Sequence, residues 1–262
     1  SRATRSMILS TVRVRLLWRS ASAVLALALV AGVAALGGCG AQNESLAEAK
    51  DLLKSDKRTR VELAVRQLTQ AAETTMTPRE EAETHYLLGY YQAGTVEERA
   101  AHFTKAVTLE PKRYEEALIN EALRDNVPEV RDAVRVAVVK QYRAAPGRIR
   151  KQLTDALEGK DNRGRHDAAW VIGYLAATDE ALAGVISDAL DHKRMETRLN
   201  AILAVDELAR QDPTKARRYV PQLVAKIEAA PKPTWKTLWI GDGDREDPEV
   251  RALAVTTLGT IG

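Results

Sequence analysis

Cysteine occurs once in the 262 residues, at Cys39, phenylalanine once and histidine four times. A single thiol excludes a disulfide within the chain and any zinc site made from paired cysteines. Aromatic residues make up 5% of the chain and β-branched runs are few, which argues against a sheet-built core. The motifs of common chemistry are missing too. There is no phosphate loop, no His-Glu-x-x-His, no nucleophile elbow and no glycine-rich dinucleotide turn. His85, His102, His166 and His192 stand far apart in sequence, where surface or packing roles are expected before ligand roles. No catalytic residue, metal ligand or cofactor is expected.

Acid is absent before Glu44, and the stretch from Ser20 to Asn43 carries no charge at all. Arg13, Arg15 and Arg19 followed by apolar Ala21 to Leu36 and then small residues have the three parts of a secretory signal. The first methionine is Met7, so the residues before it are expected to be an upstream extension or a fragment edge. The Leu36-Gly37-Gly38-Cys39 box that closes the run resembles the lipobox of bacterial lipoproteins. The resemblance implies cleavage between Gly38 and Cys39, acylation of Cys39 and residues 1–38 as signal peptide. Residues 39–43 then form a lipidated linker. Gly40, where an inner-membrane retention signal has aspartate, implies an outer-membrane address facing the periplasm in a Gram-negative cell. An uncleaved membrane-spanning anchor is the alternative, since roughly 20 apolar residues cross a bilayer.

Charge is redistributed by such a cut. The whole chain has 39 basic and 36 acidic residues, and five of the arginines with none of the acids lie in residues 1–38. The mature part is left with 34 basic against 36 acidic, a balance that speaks against nucleic acid as a partner.

From Glu44 onward, apolar residues recur three and four apart in a sequence rich in Ala, Leu, Glu and Arg, and the pattern repeats at about 34 residues. This predicts an all-α chain of repeated helical hairpins. Thr77-Pro78-Arg79-Glu80 and Thr95-Val96-Glu97-Glu98 are capping boxes that open two successive helices. Leu88, Gly89, Phe103, Ala106, Leu109 and Pro111 resemble a tetratricopeptide repeat, with His85 where a large aromatic is usual and Arg99 where a small residue is usual. Ala64, Leu68 and Ala71 repeat the second-helix pattern upstream, and Leu46 to Leu53 supply a shorter first helix. Residues 44–111 are therefore expected to form two such hairpins. The resemblance puts Glu83, Tyr86 and Tyr90 on a partner-binding groove, with mere packing of Tyr86 and Tyr90 on a neighbouring hairpin as the alternative.

After Lys112, Arg131, Arg165, Arg198 and Arg251 head four similar helices. The positions three, six, seven and ten places after each are Val134, Ala137, Val138 and Gln141; Ala168, Val171, Ile172 and Leu175; Ala201, Ala204, Val205 and Leu208; and Ala254, Thr257, Leu258 and Ile261. All but two are apolar, and that spacing is one helical face. Val127-Pro128-Glu129-Val130-Arg131 and Asp247-Pro248-Glu249-Val250-Arg251 resemble the start of the second helix in a HEAT repeat, with Asn126 and Asp247 as expected N-caps. About four such repeats are expected over residues 112–262. The resemblance makes the heading arginines ladder residues, yet only Asp125 supplies a carboxylate six places ahead, which leaves that role incomplete.

The last interval between heading arginines is 53 residues where the others are 34 and 33, so an insertion lies near 230–246. It holds Trp235 and Trp239, expected either to anchor a partner or to fold back on the last helices. Its acids, Asp242, Asp244, Glu246 and Asp247, fail the calcium-loop pattern because Asp247 stands where glycine is needed. The basic stretch Arg143, Arg148, Arg150, Lys151, Arg163 and Arg165 is interleaved with acids and reads as a solvated rim. The final repeat has no polar outer face, so the natural chain is expected to continue past Gly262.

The resemblances together imply a right-handed α-α superhelix, or solenoid, of tetratricopeptide-like then HEAT-like hairpins. As a function they imply a non-catalytic protein-protein interaction scaffold, tethered to a membrane of the cell envelope by lipid. A secretin pilotin or outer-membrane assembly factor is one alternative; a HEAT-type bilin lyase, an enzyme, is another.

Overall fold

The computed structural model describes residues 38–55, 57–74, 76–228 and 246–262, without the side chains of 38–43. The signal segment, Trp235, Trp239 and nearly all of the insertion lie outside the described residues. Every regular element among the described residues is helical. None of these helices is both long and apolar enough to cross a membrane. The chain divides into two compact units, residues 1–80 and 81–262.

In the first unit, α1 (Gly38–Leu52) and α2 (Arg58–Ala72) form a hairpin. Leu46 and Ala49 of α1 are buried, as are Ala64, Leu68 and Ala71 of α2, the three positions marked by the repeat pattern. The first helix is longer than expected, because α1 runs through 39–43, the stretch assigned to a linker.

Helix α3 (Pro78–Tyr91) starts at the end of the first unit and continues into the second. The second unit then holds α4 (Val96–Leu109), α5 (Pro111–Asn120), α6 (Pro128–Ala144), α7 (Pro146–Leu157), α8 (Asn162–Ala176), α9 (Glu180–Leu190) and α10 (Met195–Gln211). A turn of helix, α11 (Pro213–Ala216), precedes α12 (Val220–Glu228), and α13 (Pro248–Ile261) closes the described chain.

Proline and short polar caps cut the helices at these points. Pro111, Pro128, Pro146, Pro213 and Pro248 each stand in the first turn of a helix, where the missing N–H is not needed. Both expected capping boxes form. Thr77 and Glu80 exchange bonds at 3.1 and 3.3 Å, and Thr95 and Glu98 at 2.8 and 3.2 Å. Asp247 caps α13 by accepting from Glu249 N at 2.9 Å, as expected. Asn126 does not cap α6. The N-cap is Val127, its own N–H bonded to Asp125 Oδ1 at 2.7 Å, while the Asn126 carbonyl oxygen accepts from Arg163.

Helices α4, α6, α8, α10 and α13 each pack on the next. The face read from the heading arginines is the one they share, and all sixteen positions are buried except Gln141 and Leu258, which are half-buried. Gln141 is polar because it reaches back to Thr104 O on α4 at 3.4 Å. Thr257 is fully buried.

Two glycines permit close approach between helices. A methyl group at Gly89 would stand 2.7 Å from the ring of buried Phe103. One at Gly173 would overlap the Ala204 carbonyl oxygen and stand 2.9 Å from Glu207 Cβ. Alanine in mid-helix normally gains up to about 1 kcal/mol over glycine. Overpacking typically costs about 1–3 kcal/mol, and a backbone oxygen cannot swing aside. Gly173→Ala is therefore expected to lower the urea midpoint of unfolding. A midpoint equal to or above that of the parent would show that α8 and α10 do not meet here.

Candidate partner-binding surface

Within the second unit, Glu83, Tyr86 and Leu87 on α3 form one wall of a cleft of about 410 Å³. Arg113, Tyr114, Glu116, Ala117 and Asn120 of α5, with Glu121 at its end, form the other. Spacing of three and four on both helices aligns these side chains. Tyr86 has two sets of neighbours. It lines the cleft, and its ring packs 4.9 Å from Tyr114 and 5.8 Å from Phe103 between centroids. Its hydroxyl reaches Glu121 Oε2 at 3.4 Å. Burial pushes the Tyr86 phenol up, and Tyr90 and Glu121 push it further, so it stays protonated.

Tyr90 is not part of this cleft. It stands edge-on to Phe103 at 5.5 Å and to Tyr86 at 5.2 Å, and burial pushes its phenol up to about 12. Among the residues expected on a groove, the structure thus unites Glu83 and Tyr86 and assigns Tyr90 to packing. The side chain of Cys39 and all of Trp235 and Trp239 lie outside the described residues.

Two histidines far apart in sequence meet. His85 Nδ1 and His102 Nδ1 lie 2.7 Å apart, with stacked rings 5.0 Å between centroids. One imidazole must donate and the other accept, so the pair is complementary only while at least one ring is neutral. The contact is too short for two ligands of one tetrahedral ion, whose bonds of about 2.0–2.1 Å would hold the nitrogens over 3 Å apart. Burial, then Lys105 and His102, bring the His85 pKa down to about 4 against a small opposing pull from Glu81. Burial and Lys105 lower His102 as well. A separation of 17 residues left no periodic mark of this pair, and His85 here occupies the core position where an aromatic ring is usual.

Three of the four heading arginines share one role, and it needs no acid. Arg131 donates to Asp125 O at 2.8 Å, Arg165 to Gly159 O at 2.8 Å and Arg198 to His192 O at 2.9 Å. Each acceptor is the main-chain carbonyl six residues back, which any residue supplies. Carboxylates enter from the next repeat instead. Asp167, only 1% exposed, takes Arg131 Nε at 3.0 Å together with Arg135. Burial pushes the Asp167 carboxyl up, but hydrogen bonds from His166 and Arg135 and their charges outweigh it and hold the group low. Glu246 accepts from Arg198 at 2.6–3.1 Å. Two of the acids at the end of the insertion are thereby employed in the fold, Glu246 here and Asp247 as a cap.

Two members of the basic stretch, Arg148 and Lys151, meet carboxylates, and Arg163 meets a neutral amide. Arg148 grips Glu115, 3% exposed, through two bonds of 2.5 and 2.7 Å. Lys151 pairs with Asp155 at 2.7 Å and Arg163 with Asn126. Arg135 also covers the Trp170 ring at 5.2 Å, and Trp170 stacks on Tyr174.

No family model and no curated protein sequence matches the chain.

Since the folded His85 binds a proton at about 4 and an unfolded imidazole near 6.5, the unfolded chain binds more protons between these values. The stability contributed by the neutral ring is complete above pH 6.5, is lost as pH falls toward 4 and changes no further below that. Denaturant midpoints measured from pH 7 to 4 are expected to fall, and to fall less in His85→Phe. An identical pH slope in the two proteins would show that the histidine pair does not carry the effect.

Proposed function

We propose that the chain is a lipid-anchored protein-protein interaction scaffold of the bacterial cell envelope. In this reading two tetratricopeptide-like hairpins precede four HEAT-like ones in a right-handed superhelix. The observation that carries it is the sequence separation of the contacts that join one hairpin to the next. Arg135 meets Asp167 at 32 residues, Arg148 meets Glu115 at 33 and Tyr86 meets Glu121 at 35. Tyr219 donates to Ala183 O at 36 and Tyr142 to Asp179 at 37. Beyond the insertion the interval lengthens, to 48 for Arg198 with Glu246 and 54 for Thr260 with Asp206.

Such regularity supports a stack in which each repeat bonds mainly to its neighbours. Stacks of this kind present long, shaped surfaces to other macromolecules. The Glu83 and Tyr86 cleft is one stretch of that surface, and tyrosine suits it because a large ring with a hydroxyl tolerates both contact and water. The uncharged run ending at Leu36-Gly37-Gly38-Cys39 supports the membrane tether. Two or more acyl chains hold a protein stably where one does so only marginally.

Expression of the full chain in a Gram-negative host with an alkyne fatty acid tests the tether. Label is expected on the parent and not on Cys39→Ser, with the intact mass showing a polypeptide that begins at Cys39. An uncleaved, unlabelled chain would overturn it. For the scaffold, a benzoylphenylalanine placed at position 86 and irradiated in membranes is expected to capture a discrete protein, whereas no crosslinked protein at any expression level would count against that role.

A further inference from the structure

We infer that the cleft between α3 and α5 seats the cationic side chain of an arginine or lysine in an extended segment of the partner protein. The inference rests on the scaffold reading and adds the chemistry of what is bound. Three carboxylates, Glu83, Glu116 and Glu121, share the cleft with one guanidinium, Arg113. The excess is anionic, and a concave, low-dielectric wall concentrates its field on an entering ion. A segment bearing aspartate or glutamate would be repelled from the same space.

The wall between the carboxylates is aromatic. Tyr86 and Tyr114 lie 4.9 Å apart with their planes tilted by 42°. The face of such a ring attracts an ammonium or guanidinium within about 6 Å of its centre. Arg113 demonstrates the geometry from within the chain, its guanidinium carbon standing 5.1 Å from the centre of the Tyr114 ring. An incoming guanidinium finds the same combination beside Tyr86, a ring whose hydroxyl is already directed to Glu121. The Tyr86 ring is held by its packing on Phe103 and Tyr114, so little order has to be created on binding. The cleft volume of about 410 Å³ admits one long side chain with a short piece of its main chain.

Fluorescence anisotropy tests this on the mature full chain, purified from membranes in detergent. The probes are a labelled octapeptide alternating arginine with alanine, its glutamate-for-arginine twin, and phosphatidylcholine vesicles, whose headgroup is also cationic at nitrogen. The variant is Glu116→Gln with Glu121→Gln, both exposed side chains, and an unchanged circular dichroism spectrum establishes that it folds. The basic peptide is expected to bind and its twin not to. The double variant should weaken binding by about ten-fold or more, and added salt should weaken it in the parent.

The inference is overturned if the basic peptide does not bind or binds the double variant equally well. It is overturned too if the acidic twin or the vesicles displace it from the parent. Crosslinking through position 86 separates the two levels. A captured protein together with a failed basic peptide removes the charge assignment alone, while the absence of any captured protein removes the scaffold reading beneath it.

Discussion

A guanidinium bonded to the main-chain carbonyl six residues before it is the contact on which the second unit is organised. Arg131, Arg165 and Arg198 each sit in the first turns of a second helix and fasten it to the turn that leads out of the first. The same bond stands at the start of α6, α8 and α10. A planar group with five donors can hold the carbonyl and still reach elsewhere. Arg131 does so toward Asp167, and Arg198 toward Glu246. Local closure of a hairpin and attachment to the next one are therefore joined in a single side chain. Glu115 and Asp167 would be costly to bury alone, and each is satisfied by arginine from a neighbouring repeat.

The cleft follows from the same regularity. Helices α3 and α5 lie one repeat apart, and the rings of Tyr86, Tyr114 and Phe103 fill the space beneath them. Because the aromatic residues of the chain are so few, the gathering of Tyr86, Tyr90, Phe103 and Tyr114 marks out this stretch among the described residues. Carboxylates at the rim then decide the sign of what it attracts. His85 stands about 100° of helical turn from Tyr86, and it ties α3 to α4 through His102 without lining the cleft.

Much of this was legible from residue spacing. The face three, six, seven and ten places after each heading arginine is buried in all four helices, and the capping boxes at Thr77 and Thr95 close as their residue types require. These features depend on groups within a few residues of one another. Other features did not show. His85 and His102 meet across two helices, so no spacing rule reveals them. Sequence displays side chains and hides carbonyls, so the bonds of Arg131, Arg165 and Arg198 to the main chain left no trace in it. Asn126 has the chemistry of a cap, yet Arg163, 37 residues on, claims its oxygen and Asp125 serves the backbone instead.

Helical class and the phase of each buried face were set by the sequence alone, since periodicity, proline and capping act over one or two turns. Which members of α3 line a cleft and which are packed away was decided only by tertiary structure. Glu83, Tyr86 and Tyr90 occupy one helical stripe and look equivalent in the sequence. Phe103 on α4 packs against both tyrosine rings, but α5 arrives opposite Glu83 and Tyr86 and turns these two into a wall. The distinction depends on where neighbouring helices stand, and that position is fixed by contacts between residues more than 30 apart, which no local pattern records.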